Sequence, residues 1–272
     1  CLSSYTSPHL PFGRSEEDET ICNLYNQTTT QEAMRQLFKG LEMTDRAGNV
    51  SEFDNGGTCW SFHTTDIPNY FTEQFGGFDL DGRSITFTPN GTEEGYDACL
   101  EDIGELPVDP GTGSSVSLSD DDNEFRGTDQ DVYLYGTAWS GVYIGSNGML
   151  GFGSGSNDYT EDIGEHFGRT QIAMLWDDLN PSSGGTVRFA NLADRAVVTF
   201  DGVPEYSSTG SNTFQCEMFF DGTLRLSWLG VSSDDSIVGL SRGDGMPPAF
   251  IQSDFTTLPG CDEVLAGDVN GD

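Results

Sequence analysis

Along most of this chain, apolar and polar residues alternate over short stretches. Apolar residues at every second position, bounded by Gly, Asn and Asp, are typical of strands with one buried face. Many short strands at regular intervals predict an antiparallel β-sandwich or barrel, so we expect a mainly β protein. The predicted strands cover residues 132–135, 142–145, 149–152, 172–176, 187–189, 196–200, 213–220, 224–229 and 237–240.

The clearest turn signal is Asp221 followed by Gly222, between two of these strands. Asp-Gly readily supplies the positive φ angles of a tight hairpin turn. In the preceding strand Cys216 stands where a core valine could sit, so a buried thiol and a disulfide both remain open for it. Alternation places four residues of that strand on one face: Phe214, Cys216, Met218 and Phe220.

The N-terminal third has a different pattern. Apolar residues at helical spacing predict one short helix over residues 31–42, capped by Thr30. Residues 84–88 alternate as a strand, and the stretch 107–115 is rich in Pro, Gly and Ser, which predicts a linker. The predicted organisation is an arm and helix (1–59), a small β-containing unit (60–110), a β-sandwich (111–260) and a tail (261–272).

The charge balance narrows the possible partners. The 272 residues include 45 Asp and Glu against 11 Lys and Arg, for a formal net charge of -34. Nucleic acids and anionic membranes would repel such a chain, because their binding requires clustered cations. Bound divalent cations would relieve the self-repulsion, and calcium prefers oxygen ligands. The chain therefore predicts calcium as a cofactor, with a merely solvated acidic surface as the alternative.

Two acidic segments are candidate calcium ligands. Asp120, Asp121 and Asp122 supply three carboxylates in one short loop, although a solvated turn would have the same composition. Asp177 and Asp178 could suggest a hydrolytic pair, but neighbouring residues on a strand point to opposite faces. A structural or calcium-binding role is therefore expected for that pair.

The six cysteines favour an oxidising compartment. They stand at positions 1, 22, 59, 99, 216 and 261 without any Cys-x-x-Cys spacing, which gives little support to a zinc site. We expect at least two disulfides, formed among Cys22, Cys59, Cys99 and Cys261. No apolar run is long enough for a membrane span, so an exported, processed chain without membrane insertion is predicted.

Three sequons, at Asn26, Asn49 and Asn90, predict glycosylation of the N-terminal region.

Motifs of nucleophilic catalysis are missing, because no Gly-x-Ser-x-Gly elbow joins a strand to a helix. The three histidines also have no motif neighbours. We therefore expect a protein that is not an enzyme.

Five segments of the chain resemble a β module of large secreted proteins from environmental bacteria. The segments are SLSDDD (117–122), YIGSNG (143–148), LWDDLNP (175–181), VPEY (203–206) and EMFFDGT (217–223). That module is often an accessory to exported proteases and is distantly similar to the nidogen-like extracellular domain. The resemblance covers about residues 67–258 and implies an extracellular module without catalytic residues.

Two shorter resemblances lie near the ends of the chain. The last six residues are similar to the opening of a type I dockerin repeat, in which Asp268, Asn270 and Asp272 would be calcium ligands. Residues 22–25, 30–38 and 45–49 resemble the first segment of the SOS-response-associated peptidases. That family uses an N-terminal cysteine, whereas Cys22 is internal, and the charge of -34 opposes DNA binding.

These observations together predict an extracellular structural or adhesive protein of a bacterial surface. The arm and short helix cannot bury an apolar face alone, so we expect self-assembly into an oligomer or filament. The alternative is a carbohydrate- or protein-binding accessory domain of an exported hydrolase. In that case Trp60 and Trp139 would be exposed stacking platforms for a polysaccharide.

Overall fold

The structure is a computed structural model that divides the chain into two compact units, Cys1–Pro68 and Asn69–Asp272. In the first unit, strands β1 (Glu42–Thr44) and β2 (Val50–Glu52) pair antiparallel. The predicted helix over 31–42 lies outside the described residues apart from Glu42, which opens β1. The described residues are 42–44, 50–52, 70–92, 95–248 and 250–262.

The second unit is built almost entirely from strands, and its one described α-helix is the five-residue α1 (Ile163–Phe167). Its strands are β3 (Thr72–Gln74), β4 (Arg83–Pro89), β5 (Tyr96–Asp102), β6 (Ser114–Val116), β7 (Asn123–Leu134), β8 (Thr137–Gly145), β9 (Met149–Gly151), β10 (Thr170–Trp176), β11 (Thr186–Asn191), β12 (Arg195–Val203), β13 (Asn212–Phe219), β14 (Leu224–Trp228) and β15 (Ile237–Arg242).

These strands form two antiparallel sheets. One sheet has the order β3-β15-β10-β9-β8-β7, and the other has the order β5-β4-β14-β13-β12-β11-β6. Both sheets contribute to one buried apolar cluster, with Ile172 and Leu240 from the first sheet and Phe214 and Leu226 from the second. The prediction of a mainly β, antiparallel sandwich is confirmed.

Aromatic side chains fill much of the core between the sheets. The rings of Phe200 and Phe214 stack with centroids 4.7 Å apart on neighbouring strands. Trp228 is fully buried, and its indole Nε1 donates a 2.8 Å hydrogen bond to the Met174 carbonyl of the opposite sheet. A buried indole needs such a partner, so this bond also fixes how the two sheets face each other.

The hairpin between β13 and β14 forms where the sequence predicts it. The Gly222 amide donates to the Phe219 carbonyl at 3.0 Å, and Gly222 has a φ of 95°. Alternation along β13 buries Cys216 completely, and its thiol is free. The structure joins Cys99 to Cys261, and the other two expected participants, Cys22 and Cys59, lie outside the described residues.

The predicted boundary between a small unit (60–110) and a sandwich (111–260) is wrong. β4 and β5 belong to the seven-stranded sheet, where Ile85 of β4 pairs with Leu226 of β14. The apolar residues of β4 are buried in the core between the two sheets, so β4 and β5 are part of the sandwich and do not form a separate unit. The predicted linker is also bound, because the Gln215 side chain contacts the Val108 amide (3.0 Å) and carbonyl (2.9 Å).

No helix in the described segments combines the length and the apolar character that crossing a membrane requires.

Candidate metal centre

Three loops meet at one end of the sandwich around the side chain of Asn147, which is 1% exposed. Its Nδ2 donates hydrogen bonds of 3.1 Å to Asp121 Oδ1 and to the Asp158 carbonyl. Its Oδ1 accepts a 3.0 Å bond from the Leu179 amide. One buried amide therefore holds the loop before β7, the loop before α1 and the loop after β10 together.

The turn that carries Asn147 joins β8 to β9 and requires glycine at its last position. Gly148 has a φ of 73°, and a Cβ there would lie 2.0 Å from the Leu175 carbonyl oxygen. Beside it, Ser146 fixes the acidic loop twice, since its amide donates to the Asp122 carbonyl (2.8 Å) and its Oγ accepts from the Asp122 amide (2.9 Å). The turn thus positions the loop that precedes β7.

Asp120, Asp121 and Asp178 each place one carboxylate oxygen within 4.8 Å of the other two. Asp121 is exposed, whereas Asp120 and Asp178 are partly buried. Burial raises the pKa of Asp178, and the carboxylates of Asp121, Asp120 and Asp177 raise it further. Burial and then Asp121 likewise raise the pKa of Asp120. The three carboxylates repel one another, and within the described segments none of them forms an ion pair.

Asp122, the third predicted ligand of this loop, has a different role. Its Oδ2 accepts from the Ser119 amide (3.2 Å) and hydroxyl (3.1 Å), and its Oδ1 accepts from the Asn123 amide (2.8 Å). These bonds, led by the one from the Ser119 amide, lower the pKa of Asp122. Asp122 therefore shapes the loop, and Asp178 takes the third place in the cluster. The tail ligands Asp268, Asn270 and Asp272 lie outside the described residues.

The neighbouring Asp177 points to a second group of acids. It is 6% exposed, and its Oδ1 accepts a 2.6 Å bond from the Asp178 amide. Its Oδ2 is buried without a hydrogen-bond partner. Burial raises the pKa of Glu161 to about 7, and Asp177 and Asp235 add to the shift. Asp177 and Asp178, which both follow the end of β10, thus belong to two different acidic groups.

The groups most suited to nucleophilic or base chemistry in the described part of the chain are buried. His166 is fully buried between Thr72 Oγ1 (3.2 Å from Nε2) and Gln171 Nε2 (3.0 Å from Nδ1). Burial lowers the pKa of His166 to about 4 and raises the pKa of the Cys216 thiol. Both side chains are parts of the packed interior.

The remaining predicted sites are only partly described. Trp139 is half-buried and packs against Phe152 with ring centroids 5.7 Å apart, so it does not form the exposed platform expected of it. Trp60 lies outside the described residues. Asn90 lies in the turn between β4 and β5, where its Nδ2 donates to Asp97 Oδ1 at 2.9 Å. The other two sequons, at Asn26 and Asn49, also lie outside the described residues.

Comparisons of the chain with family models, with curated proteins and with solved structures find no match.

Proposed function

We propose that this chain is an extracellular, calcium-dependent β-sandwich protein that acts by binding and assembly. The observation that carries this proposal is the convergence of the Asp120, Asp121 and Asp178 carboxylates within 4.8 Å of one another. Carboxylate oxygens are the ligands that calcium prefers, and its flexible coordination tolerates ligands from separate loops. A bound ion would also remove the repulsion that raises the pKa of Asp178.

The overall charge supports the same proposal. A chain with a formal charge of -34 is destabilised by its own field, and ions bound to the folded state offset part of that cost. The Cys99–Cys261 disulfide supports an oxidising, extracellular location. The burial of His166 and Cys216 supports a binding role over catalysis, since neither side chain can reach a substrate.

Assembly is the favoured form of this role, and β7 is the strand best suited to it. β7 forms one edge of the six-stranded sheet, and among the described strands only β8 pairs with it. Its Phe125 side chain is 49% exposed. Of the two edge strands of the other sheet, β5 is partly covered, because its Leu100 forms a parallel bridge with Gly260, and β6 has only three residues. An added strand from a neighbouring chain would therefore pair with β7.

Calcium titration followed by thermal unfolding tests the metal part of the proposal. At 100 times its dissociation constant, an ion that binds only the folded state adds about 2.7 kcal/mol, which corresponds to a midpoint shift of roughly 5–10 °C. Sodium chloride at matched ionic strength controls for screening. Asp178→Asn should reduce the specific shift, whereas Asp131→Asn, an exposed charge-matched change on β7, should leave it unchanged. Equal shifts in calcium and sodium would refute the site.

Light scattering tests the assembly part. The full chain at millimolar calcium should form oligomers or filaments, and deletion of residues 1–68 should leave a folded sandwich that no longer associates. All strands of both large sheets lie within Asn69–Asp272, so the fold should survive the deletion. A full-length chain that stays monomeric at high concentration with calcium present would contradict assembly.

A carbohydrate-binding accessory role is the second candidate, favoured by two exposed tyrosines. Tyr159 is 53% exposed and Tyr206 is 54% exposed, and each lies in a loop that carries one of the acids near Asp177. Exposed aromatic rings can stack on sugar faces. Retention on immobilised polysaccharide that is lost in the Tyr159→Ala and Tyr206→Ala variants, with a monomeric full chain, would favour this role.

A further inference from the structure

We infer that the same end of the sandwich binds a second divalent cation, held by the carboxylates of Asp177 and Glu161 and the hydroxyl of Ser233. This site shares no side chain with the cluster of Asp120, Asp121 and Asp178.

The sheet register brings the parts of this second site together. Trp176 pairs with Ile237, so Asp177 follows β10 beside the residues that precede β15. On its other side, Leu179 forms an antiparallel bridge with Glu205. Asn212, at the start of β13, holds the loop before β15 in place.

Asn212 is fully buried, and its Oδ1 accepts hydrogen bonds from the Ser232 amide (2.8 Å) and the Ser233 amide (3.0 Å). Its Nδ2 donates to the Val203 carbonyl at 3.3 Å. These bonds fix the loop before β15 against the end of β12. Ser233 is thereby held beside Asp177 by backbone contacts, independently of any interaction between the acids.

Three buried oxygens at this place lack a hydrogen bond of normal geometry: Asp177 Oδ2, Ser233 Oγ and Glu205 Oε1. Asp177 is 6% exposed and Ser233 is 2% exposed. The Ser233 hydroxyl and the Glu161 carboxyl are close enough to favour the ionised form of Asp177, but neither completes such a bond to its Oδ2. A buried carboxylate without a partner is costly, and a cation between it and the hydroxyl would satisfy both oxygens.

The surrounding charges support the same inference. Besides Asp177, the acids here are Glu205, which forms a bridge with Leu179, and Asp234 and Asp235, which follow Ser233 in the loop before β15. Within the described segments, neither these acids nor Glu161 form an ion pair. Several carboxylates therefore lie near one another here, and no described cationic side chain forms an ion pair with them.

The available ligands define the class of cation. All of them are oxygens, which suit calcium or magnesium and not zinc. The acids of this site converge less closely than Asp120, Asp121 and Asp178, which form the only group of three within 4.8 Å in the described part of the chain. Water must then complete the coordination shell. A partly hydrated calcium ion, with Glu205 and Asp235 as outer charges, fits this arrangement.

Calorimetric titration of the full chain with calcium chloride tests the second site. Asp177→Asn should bind one ion fewer than the native chain, and Asp120→Asn should lose a different ion, so that the double variant loses two. Ser233→Ala should weaken one binding step about tenfold, as the loss of a supporting group does. Asp131→Asn, which removes one exposed charge from β7, should bind as many ions as the native chain.

Unfolding of the same variants without calcium separates a binding role from a structural one. If Asp177 is an unpaired buried charge that awaits a cation, Asp177→Asn should raise the calcium-free midpoint and reduce the gain on adding calcium. A lower calcium-free midpoint in Asp177→Asn would overturn the inference, and so would an unchanged number of bound ions in Asp177→Asn together with unchanged calcium affinities in Ser233→Ala. Loss of no ion in Asp120→Asn would instead refute the first site and leave the second one standing.

Discussion

Replacement of Cys99 and Cys261 by serine should lower the free energy of unfolding by as much as about 5 kcal/mol. The two cysteines are 162 residues apart in sequence, so their disulfide closes a loop that spans most of the second unit. In the chain-entropy treatment, the loss of conformational freedom in the unfolded state grows with the logarithm of loop length and reaches about 5 kcal/mol for a loop of this size at 25 °C. That value is an upper bound, because residual structure in the unfolded chain reduces it.

The folded state should change little in the same variant. The Leu100 amide still donates to the Pro259 carbonyl at 2.9 Å, and Phe255 remains fully buried with its ring 6.4 Å from that of Phe87. These contacts hold the C-terminal segment on β5 without the covalent bond. The loss of stability should therefore arise mainly in the unfolded state, which becomes more expanded and exposes more surface.

Urea denaturation of the native chain and of the double serine variant measures both effects. We expect a lower midpoint and a slightly larger dependence of the unfolding free energy on urea, because that slope follows the surface exposed on unfolding. As a control, both chains are also denatured under a thiol reductant, where their stabilities should be equal because the disulfide that distinguishes them is then absent. A loss below about 1 kcal/mol with an unchanged slope would refute the loop-closure reasoning.

Three further substitutions have expected outcomes. Glu217 is fully buried and its carboxylate contacts two arginines, so Glu217→Ala should cost about 3 kcal/mol in urea denaturation, because Arg225 loses its carboxylate partner and Arg195 keeps only Asp194. Burial is the largest cause that raises the pKa of Glu73 from 4.5 to about 7. Its contribution to stability is therefore fully present below pH 4.5 and lost as the pH rises through 7. In calcium-free buffer, Glu73→Gln should make the thermal midpoint depend less on pH across that range. Gly148→Ala should lower both the thermal midpoint and calcium affinity, since its Cβ would meet the Leu175 carbonyl.

Local pattern was sufficient to predict most strands of the sandwich and one turn in detail. The period of two along residues 213–220 predicted the buried face of β13, and Asp221-Gly222 predicted the hairpin that follows. Both features depend on neighbouring residues alone, so they can be recognised without knowledge of the fold.

Long-range pairing was beyond what local pattern can predict. Residues 107–115 have the composition of a linker, yet β6 begins at Ser114 and pairs with β11, whose sequence lies some seventy residues later. Composition indicates that a segment can turn, but sheet pairing decides whether it is free. For the same reason, local pattern predicts a separate unit for residues 60–110, whereas β4 pairs with β14 in the larger sheet.

Some features of the candidate metal centre can be predicted from the sequence, and others depend on the tertiary structure. The acidic composition and the run of Asp120 to Asp122 predict a cation site in that loop, and this stays a prediction. The sequence could not show that the Asp122 carboxylate accepts hydrogen bonds from Ser119. Nor could it show that Asp178, in a loop more than fifty residues away, lies close to Asp120 and Asp121. A coordination shell is a set of distances between loops, and those distances arise only when the two sheets pack and the buried Asn147 amide joins the loops at their end.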